Sequence, residues 1–316
     1  MNRTGVVVVT YNSGDVIEKC LNSCVNLPVV VVDNASRDQT CERVRRSTSV
    51  TLITNPVNLG FAAAVNQGVA ALDTELILLL NPDVELETSI DALEAACTRE
   101  DAGLAAGKLR DKQGGAQTGF TLRRFPTPMT LVFEILGINR LLPSNPLNRR
   151  YRCLDVDLSK SGEAEQPPGA FLMFRREVWQ RLGGFDTQFY PIWFEDVDFC
   201  RRAREQGYKI QYVPQVTARH RGGHSIAKME WGCRELCWYV SLLRYASKHF
   251  RPYAYRGVSA AILLGSPFRA IIKMTQLRSA KPIKVYAKII QIATLNLLLG
   301  RAGQPRCLTN YSKAVG

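Results

Sequence analysis

The run Gly5-Val6-Val7-Val8-Val9-Thr10, broken at once by Tyr11-Asn12-Ser13-Gly14, decides the fold class. Four consecutive valines leave no polar face, so the segment suits a strand buried on both sides, as in a parallel sheet covered by helices. The pattern recurs downstream. Pro28 opens a second strand, Val29 to Val32, which Asp33-Asn34-Ala35-Ser36 ends; Val50 to Thr54 is a third, and Leu76 to Leu80 a fourth, stopped by Asn81-Pro82-Asp83. Between them the spacing predicts helices capped by Ser13 and running to about Cys24, ending near Arg46, and over Leu59–Leu72 and Glu87–Thr98. This alternation implies an α/β fold with an open, twisted, mostly parallel sheet and helices on both faces.

From Lys108 to Glu165 the pattern loosens into loops around Gly114-Gly115, with a short helix near Leu131–Gly137. It returns as a strand at Gly169–Phe174, helices at Glu177–Leu182 and Glu195–Gln206, a strand at Ile210–Val213 and a long helix from about Met229 to Lys248. No linker interrupts residues 1–240, which read as one domain.

The chain of 316 residues carries a net charge of +13, and its distribution is uneven. The last acidic residue is Glu235; the 13 basic residues between Ser241 and Gly316 make up the whole excess. A neutral body with a cationic region at 241–316 points to a polyanionic surface. Within that region Lys284, Lys288 and Gln291 fall on one helical face, and Tyr286, Ile289, Ile290, Ala293 and Leu297 on another. Such a helix either lies in an anionic membrane interface or packs its apolar face on the body. Leu and Ile, rather than stacking aromatics, separate the charges, which argues against nucleic acid. Lys284 and Lys288 interrupt the best apolar run, so no membrane-spanning segment is predicted, and Val6–Val9 is too short for a signal peptide. The expected location is cytoplasmic, peripheral at the inner face of the cell membrane. The nine scattered cysteines lack zinc-knuckle spacing and read as reduced thiols.

In an open parallel sheet, ligands bind beyond the carboxyl ends of the strands. Thr10-Tyr11-Asn12, Asp33-Asn34 and Asn81-Pro82-Asp83 all fall there. No G-x-G-x-x-G or G-x-x-x-x-G-K-[ST] follows the first strand, which excludes the usual dinucleotide and P-loop sites. Asp33 suits a base or ribose contact, and equally an Asx-turn that caps the next helix. Asp83 suits Mg²⁺ or Mn²⁺, and equally a plain Asn-Pro-Asp turn. Glu195, Asp196 and Asp198 stand among Trp193, Phe194 and Phe199 at a helix start; dipole compensation explains acids there but not the bulky aromatics, whose company would raise a carboxylate's pKa and suit a general base. In Arg219-His220-Arg221-Gly222-Gly223-His224, the arginines can neutralise phosphate and an imidazole, His220 or His224, can complete a metal site begun by Asp83.

These motifs, in this order, resemble glycosyltransferase family 2, the nucleotide-sugar transferases of GT-A fold, and most of all its bacterial rhamnosyltransferase-like branch. The resemblance spans roughly residues 5–240. It rests on residues 8–13 (VVTYNS), 31–36 (VVDNAS), 58–66 (NLGFAAAVN), 80–84 (LNPDV), 169–176 (GAFLMFRR), 183–186 (GGFD) and 194–198 (FEDVD). It implies a nucleotide-binding half over about 1–105 and an acceptor and catalytic half over about 106–240. It further implies that Thr10, Tyr11, Asn12 and Asp33 contact the donor nucleoside, that Asn58, Gly60 and Asn66 shape the neighbouring loop and helix, and that Asn81 and Asp83 occupy the D-x-D metal position, with His220 as a further ligand. Asp196 would be the base of an inverting transfer, Glu195 would contact or orient the acceptor, and Gly169 and Ala170 would floor its site. The implied partners are Mg²⁺ or Mn²⁺, a nucleoside-diphosphate sugar with dTDP-L-rhamnose foremost, and a glycan or polyprenyl-diphosphate-linked acceptor. A non-catalytic sugar-nucleotide binder would lose Asp83 or Asp196; both are present. A peripheral membrane adaptor, with the tail as its working part, is the remaining alternative.

Overall fold

The computed structural model describes residues 3–223 and 227–300. In chain order the elements are β1 (Thr4–Thr10), α1 (Ile17–Ser23), β2 (Val29–Asp33), α2 (Thr40–Arg45), β3 (Val50–Thr54), α3 (Phe61–Ala70), β4 (Leu76–Leu80), β5 (Val84–Leu86), α4 (Asp91–Cys97) and β6 (Ala102–Arg110). They continue with α5 (Pro128–Ile135), α6 (Ile138–Leu141), α7 (Pro146–Tyr151), β7 (Gly162–Ala164), β8 (Phe171–Arg175), α8 (Arg176–Arg181), α9 (Glu195–Glu205), β9 (Lys209–His220), α10 (Trp231–His249), α11 (Pro252–Leu277) and α12 (Lys281–Leu299). The chain divides into two compact units, one of residues 1–125, 152–187 and 195–228, the other of 126–151, 188–194 and 229–316.

The first unit is built on a nine-stranded sheet of order β3-β2-β1-β4-β8-β6-β9-β5, with β7 also paired to β9. β1 to β4 are mutually parallel, as the β-branched runs require. β8 then runs antiparallel to both β4 and β6, and β6 is again parallel to β9. Strand alternation sends the two sets of valines to opposite faces. Val7, Val9, Val30 and Val32 join Ile77 and Leu79 in one core. Val6, Val8, Val29 and Val31 join Leu76, Leu78 and Leu80 in the other. With both faces covered, every polar group at the strand ends is fixed by the register of the ladders.

Three features depart from the sequence reading. Ser13 does not cap α1 with its hydroxyl; its carbonyl accepts from Val16 N and Ile17 N, at 3.1 and 3.0 Å, and α1 starts later, at Ile17. β6 is a strand made largely of Ala and Gly, residues of low β-propensity that give little local signal. β9 runs on to His220, because an irregularity around Pro214 lets its ladder with β6 resume at Thr217 opposite Lys108.

The second unit is helical. Its core holds Tyr239, Tyr245, Tyr255 and Tyr286. Tyr286 donates to Glu235 at 2.8 Å, Tyr255 bonds the fully buried Asn296, and the Arg269 guanidinium caps α5 through the Ile135 carbonyl at 2.8 Å. Of the apolar face of α12, Tyr286, Ile289 and Ala293 are buried in this core and Ile290 and Leu297 are half-buried, which is the packed placement of the two the sequence left open. A different apolar set is exposed: Leu264, Phe268, Ile271 and Ile272 on α11, and Ile283, Leu295, Leu298 and Leu299 on α12. The expectation that no segment is long enough to cross a membrane is corrected, since α11 and α12 both pass by length and composition. The basic residues that interrupt them are too few to disqualify either helix, and 33% and 39% of their apolar windows are buried within the protein. His224 and residues 301–316 lie outside the described residues. The eight described cysteines are free thiols, as expected.

Gly107, in the middle of β6, tests the tightness of the sheet. A Cβ there would lie 2.3 Å from a ring carbon of Phe171 and 2.5 Å from the Val216 carbonyl oxygen, and the latter is backbone that cannot rotate away. Gly107→Ala is expected to lower stability by about 1–3 kcal/mol, read as a fall in the urea midpoint at unchanged slope.

Candidate active site

β5 decides where Asp83 goes. It pairs antiparallel with the end of β9, Val84 opposite His220, and Arg221 N bonds the Asp83 carbonyl at 3.2 Å. The carboxylate and the imidazole are therefore side by side, Asp83 Oδ1 lying 3.6 Å from His220 Nε2. Both residues are buried, at 4% and 3% exposure, and neither Asp83 Oδ2 nor His220 Nε2 has a hydrogen-bond partner. Burial pushes the His220 imidazole below its ordinary pKa, against the opposing pull of Asp83, so the ring is neutral near pH 7. Two buried lone pairs facing one another, from a carboxylate and a neutral imidazole, fit a divalent cation. Among the described residues no third His, Cys, Asp or Glu joins them. Such a donor set leaves coordination positions for substrate phosphate and water, the usual arrangement for Mg²⁺ or Mn²⁺. The flanking arginines are already engaged, Arg219 with Glu87 at 2.8 Å and Arg221 with Glu85 at 3.9 Å, so the sequence reading overstated their freedom to meet phosphate.

Asp196 is joined to the same strand ends. Asn81 N donates to the Ala170 carbonyl at 3.0 Å, which continues the β4–β8 pairing past Leu80 opposite Phe171. The next residue back, Gly169, donates its N–H to Asp196 Oδ2 at 2.9 Å, and Val197 N donates to Oδ1 at 2.8 Å. A Cβ at Gly169 would stand 3.3 Å from the Asp196 Cβ, a tight contact that the glycine avoids. Burial raises the Asp196 pKa, while the Gly169 and Val197 N–H groups and the Arg123 charge oppose the rise. Glu195, 4% exposed with Oε2 unpartnered, is held well above the usual carboxylate range by burial and then by the Asp196 charge. Asp198 differs: fully buried, it pairs with Arg202 at 2.7 Å, and Arg202 also donates to the Leu182 and Gly184 carbonyls. The three acids thus divide into a held aspartate, a glutamate that favours its neutral form and a structural ion pair. Of the aromatics beside them in sequence, Phe199 stacks on Phe185 at 4.3 Å in the sheet core, and Phe194 packs on Tyr245 in the helical unit. The backbone before Glu195 is held at φ 80° and 69° at Trp193 and Phe194, a disfavoured region that costs about 1–3 kcal/mol per bulky residue.

The residues expected around the nucleoside fall into two groups. Thr10 and Asp33 are buried and bonded to each other at 2.8 Å, and Ser36 donates to both Asp33 oxygens. Tyr11 and Asn12 are the half-exposed members of the four. Asn12 Oδ1 accepts from Arg37 N at 2.8 Å. Asn58 Oδ1 accepts from Gly60 N at 2.8 Å, and Gly60, at φ 86°, starts α3. Asn66 turns to the structure: it donates to the Phe185 carbonyl and accepts from Phe185 N and the Trp179 indole. Four residues were missed by sequence reasoning. Lys228 brings a cation to the Asn12 carbonyl, 2.5 Å away; Gln117 and Phe120 share a turn after β6, and Arg123 follows it, bridged to Gln166.

A sheet of this order, with polar side chains gathered at the ends of β1, β2, β4 and β9, defines an α/β protein of the GT-A type. PcManGT, a mannosyltransferase from Pyrobaculum calidifontis solved with GDP-Man and Mn²⁺, has the same fold, with a TM-score of 0.52 and 19% identity over 95% of this chain and 88% of that one. The model of the family Glycosyl transferase family 2 matches residues 5–183, and that of Glycosyl transferase family group 2 matches residues 153–299. The chain belongs to glycosyl transferase family 2. Among its relatives, the N-acetylglucosaminyl-diphospho-decaprenol L-rhamnosyltransferase of Mycobacterium tuberculosis is 32% identical over 71% of this chain and 77% of its own. Rhamnosyltransferase WbbL of Escherichia coli is 26% identical over 69% and 83%. The chain is therefore a rhamnosyltransferase-like glycosyltransferase.

Because Glu195 binds its proton more tightly folded than unfolded, the folded state holds the extra proton above the ordinary carboxylate pKa, and stability falls as pH rises through that window. Urea midpoints between about pH 5 and pH 8 are expected to fall in the parent and to fall less in Glu195→Gln, which gains on the parent at the alkaline end. Parallel curves would show that Glu195 ionises normally.

Proposed function

We propose that this glycosyltransferase moves L-rhamnose, with inversion, from dTDP-L-rhamnose to a hydroxyl of a glycan carried on polyprenyl diphosphate, in the synthesis of cell-surface polysaccharide. The donor and acceptor classes come from the named activities of the relatives. The observation that carries the chemistry is the short run of bonds joining the two acidic centres. Asp196 is held by Gly169 N, and the adjacent Ala170 carbonyl is bonded to Asn81, two residues before Asp83.

On this reading Asp196 accepts the proton of the acceptor hydroxyl, and the oxygen attacks the anomeric carbon from the side opposite the nucleoside diphosphate. The Gly169 and Val197 N–H groups fix the orientation of the carboxylate, and its raised pKa improves it as a base. Glu195, neutral beside it, has an O–H to offer an acceptor oxygen. Tyr11, Asn12, Asn58, Gly60 and Asn81 stand where the donor's nucleoside and diphosphate would bind, with Thr10, Asp33 and Asn66 bracing them. Asp83 and His220 would hold Mg²⁺ or Mn²⁺, which offsets the charge that builds on the departing diphosphate.

The helical unit supplies the attachment. It carries most of the exposed large apolar side chains among the described residues. On α11, Leu264, Phe268, Ile271 and Ile272 follow i, i+4, i+7, i+8 and share one stripe. Arg278, Lys281 and Lys284 follow the stripe in sequence, with no acid after Glu235. That combination suits peripheral binding to an anionic lipid surface at the cytoplasmic face.

A donor panel read by nucleoside diphosphate release tests the chemistry. The expected result is highest turnover with dTDP-L-rhamnose, loss of activity on chelation restored by Mg²⁺ or Mn²⁺, and a fall of about 10²-fold or more in kcat for Asp196→Asn. An Asp196→Asn enzyme as active as the parent removes the base; indifference to the sugar removes the donor assignment. In flotation, the protein is expected to rise with phosphatidylglycerol vesicles and not with phosphatidylcholine ones, and Phe268→Glu with Ile272→Glu is expected to abolish flotation. Equal flotation with both lipids would refute the electrostatic part.

A further inference from the structure

The metal pair has a holder on a neighbouring turn. Gln117 is anchored by its own backbone: its N–H donates to the Leu109 carbonyl of β6 at 2.9 Å, and its carbonyl accepts from Phe120 N and Thr121 N at 3.0 and 2.9 Å. Its side chain grips His220 twice. Nε2 donates to the His220 carbonyl at 2.7 Å, and Oε1 lies 2.9 Å from the ring Nδ1. The first bond fixes the amide, because a carbonyl can only accept, so the amide nitrogen must face it. The amide oxygen is then left for Nδ1, and an oxygen can only accept, so Nδ1 must carry the ring proton. In a neutral imidazole this strips Nε2 of its hydrogen. That bare Nε2 is the buried, unpartnered atom 3.6 Å from Asp83. The Phe120 ring, stacked on the imidazole at 5.1 Å and 18°, stops it from rotating. The chain after this turn reaches the other acid: Arg123, whose charge is felt by Asp196, exchanges backbone bonds with Gln166 at 3.1 and 3.0 Å, three residues before Gly169.

We infer that Gln117 is a positioning residue that fixes the tautomer and orientation of His220, so that its bare Nε2 and the Asp83 carboxylate together receive a divalent cation. The inference rests on the metal reading of the proposed function. An outer partner of a ligating histidine is worth roughly 10–100-fold in metal affinity, by locking the ring and raising its basicity. Gln117→Met keeps the unbranched shape and removes both hydrogen-bonding ends. Gln117→Glu keeps an acceptor for Nδ1–H and gives up only the donor to the His220 carbonyl.

The test uses the full-length protein without donor and follows Mn²⁺ binding by the paramagnetic resonance of the free ion, with Asp83→Asn as control. Gln117→Met is expected to weaken Mn²⁺ binding about 10–100-fold, and Gln117→Glu to bind close to the parent. Metal-free thermal midpoints of the two variants should match, which separates positioning from folding. Independently of any variant at Gln117, ¹⁵N resonances of the metal-free parent, with His220 assigned through His220→Gln, should show the proton on Nδ1. A parent that does not bind Mn²⁺, or an Asp83→Asn protein that binds it equally well, sinks the metal reading and this inference with it. Binding that Asp83→Asn abolishes and Gln117→Met leaves intact, or a His220 proton found on Nε2, overturns the role of Gln117 alone.

Discussion

A carboxylate and a neutral imidazole, each almost wholly buried, sit 3.6 Å apart with lone pairs facing one another, and the three-residue strand β5 is what keeps them there. Neither group gains from this arrangement alone, since an unpartnered buried polar atom typically costs about 1–3 kcal/mol. The ladder with β9 tolerates it because both neighbouring cores are closed and the backbone groups are satisfied. The parallel β1–β4 block and the β6–β9 pair supply the frame that holds this unfavourable pairing. The bond from Asn81 to Ala170 and that from Gly169 to Asp196 extend the same frame to the Asp196 carboxylate.

The parts of this arrangement that were legible in the sequence are those written in local pattern. Gly5–Thr10, Val29–Val32, Val50–Thr54 and Leu76–Leu80 are β-branched or apolar runs that suit buried strands, and the structure reproduces them to within a residue. Asp83, His220, Glu195 and Asp196 were found because acids and histidines at strand and helix ends are conspicuous. What was not legible depends on long-range pairing. β6 carries too much Ala and Gly to announce itself, and β5 is three residues whose identity as a strand exists only against His220. Gln117 lay inside a segment read as loop; its contact with His220 spans 103 residues, which no window of sequence contains. The partners of the nearby aromatics were not legible either: Phe199 stacks on Phe185, and Phe194 packs on Tyr245.

The C-terminal region shows how one amphipathic pattern can be read two ways. Tyr286, Ile289 and Ala293 form a good apolar face, and the protein uses it on itself, around Tyr239 and Glu235. The apolar surface left exposed is carried largely by α11, where Pro267 and the interrupting Arg269 and Lys273 obscured the stripe. Charge survives this revision better than hydrophobic pattern does, because the absence of acids after Glu235 is independent of which face is buried.

The helical unit draws on residues 126–151, 188–194 and 229–316, so the chain leaves and re-enters it repeatedly. It cannot be cut away as an appendage. A shortened chain ending near residue 228 would still carry α5 and the segment before Glu195, now deprived of Arg269 and Tyr245 as neighbours. On the ribosome α5 must wait for more than a hundred further residues before Arg269 exists, and Phe194 for about fifty before Tyr245 does.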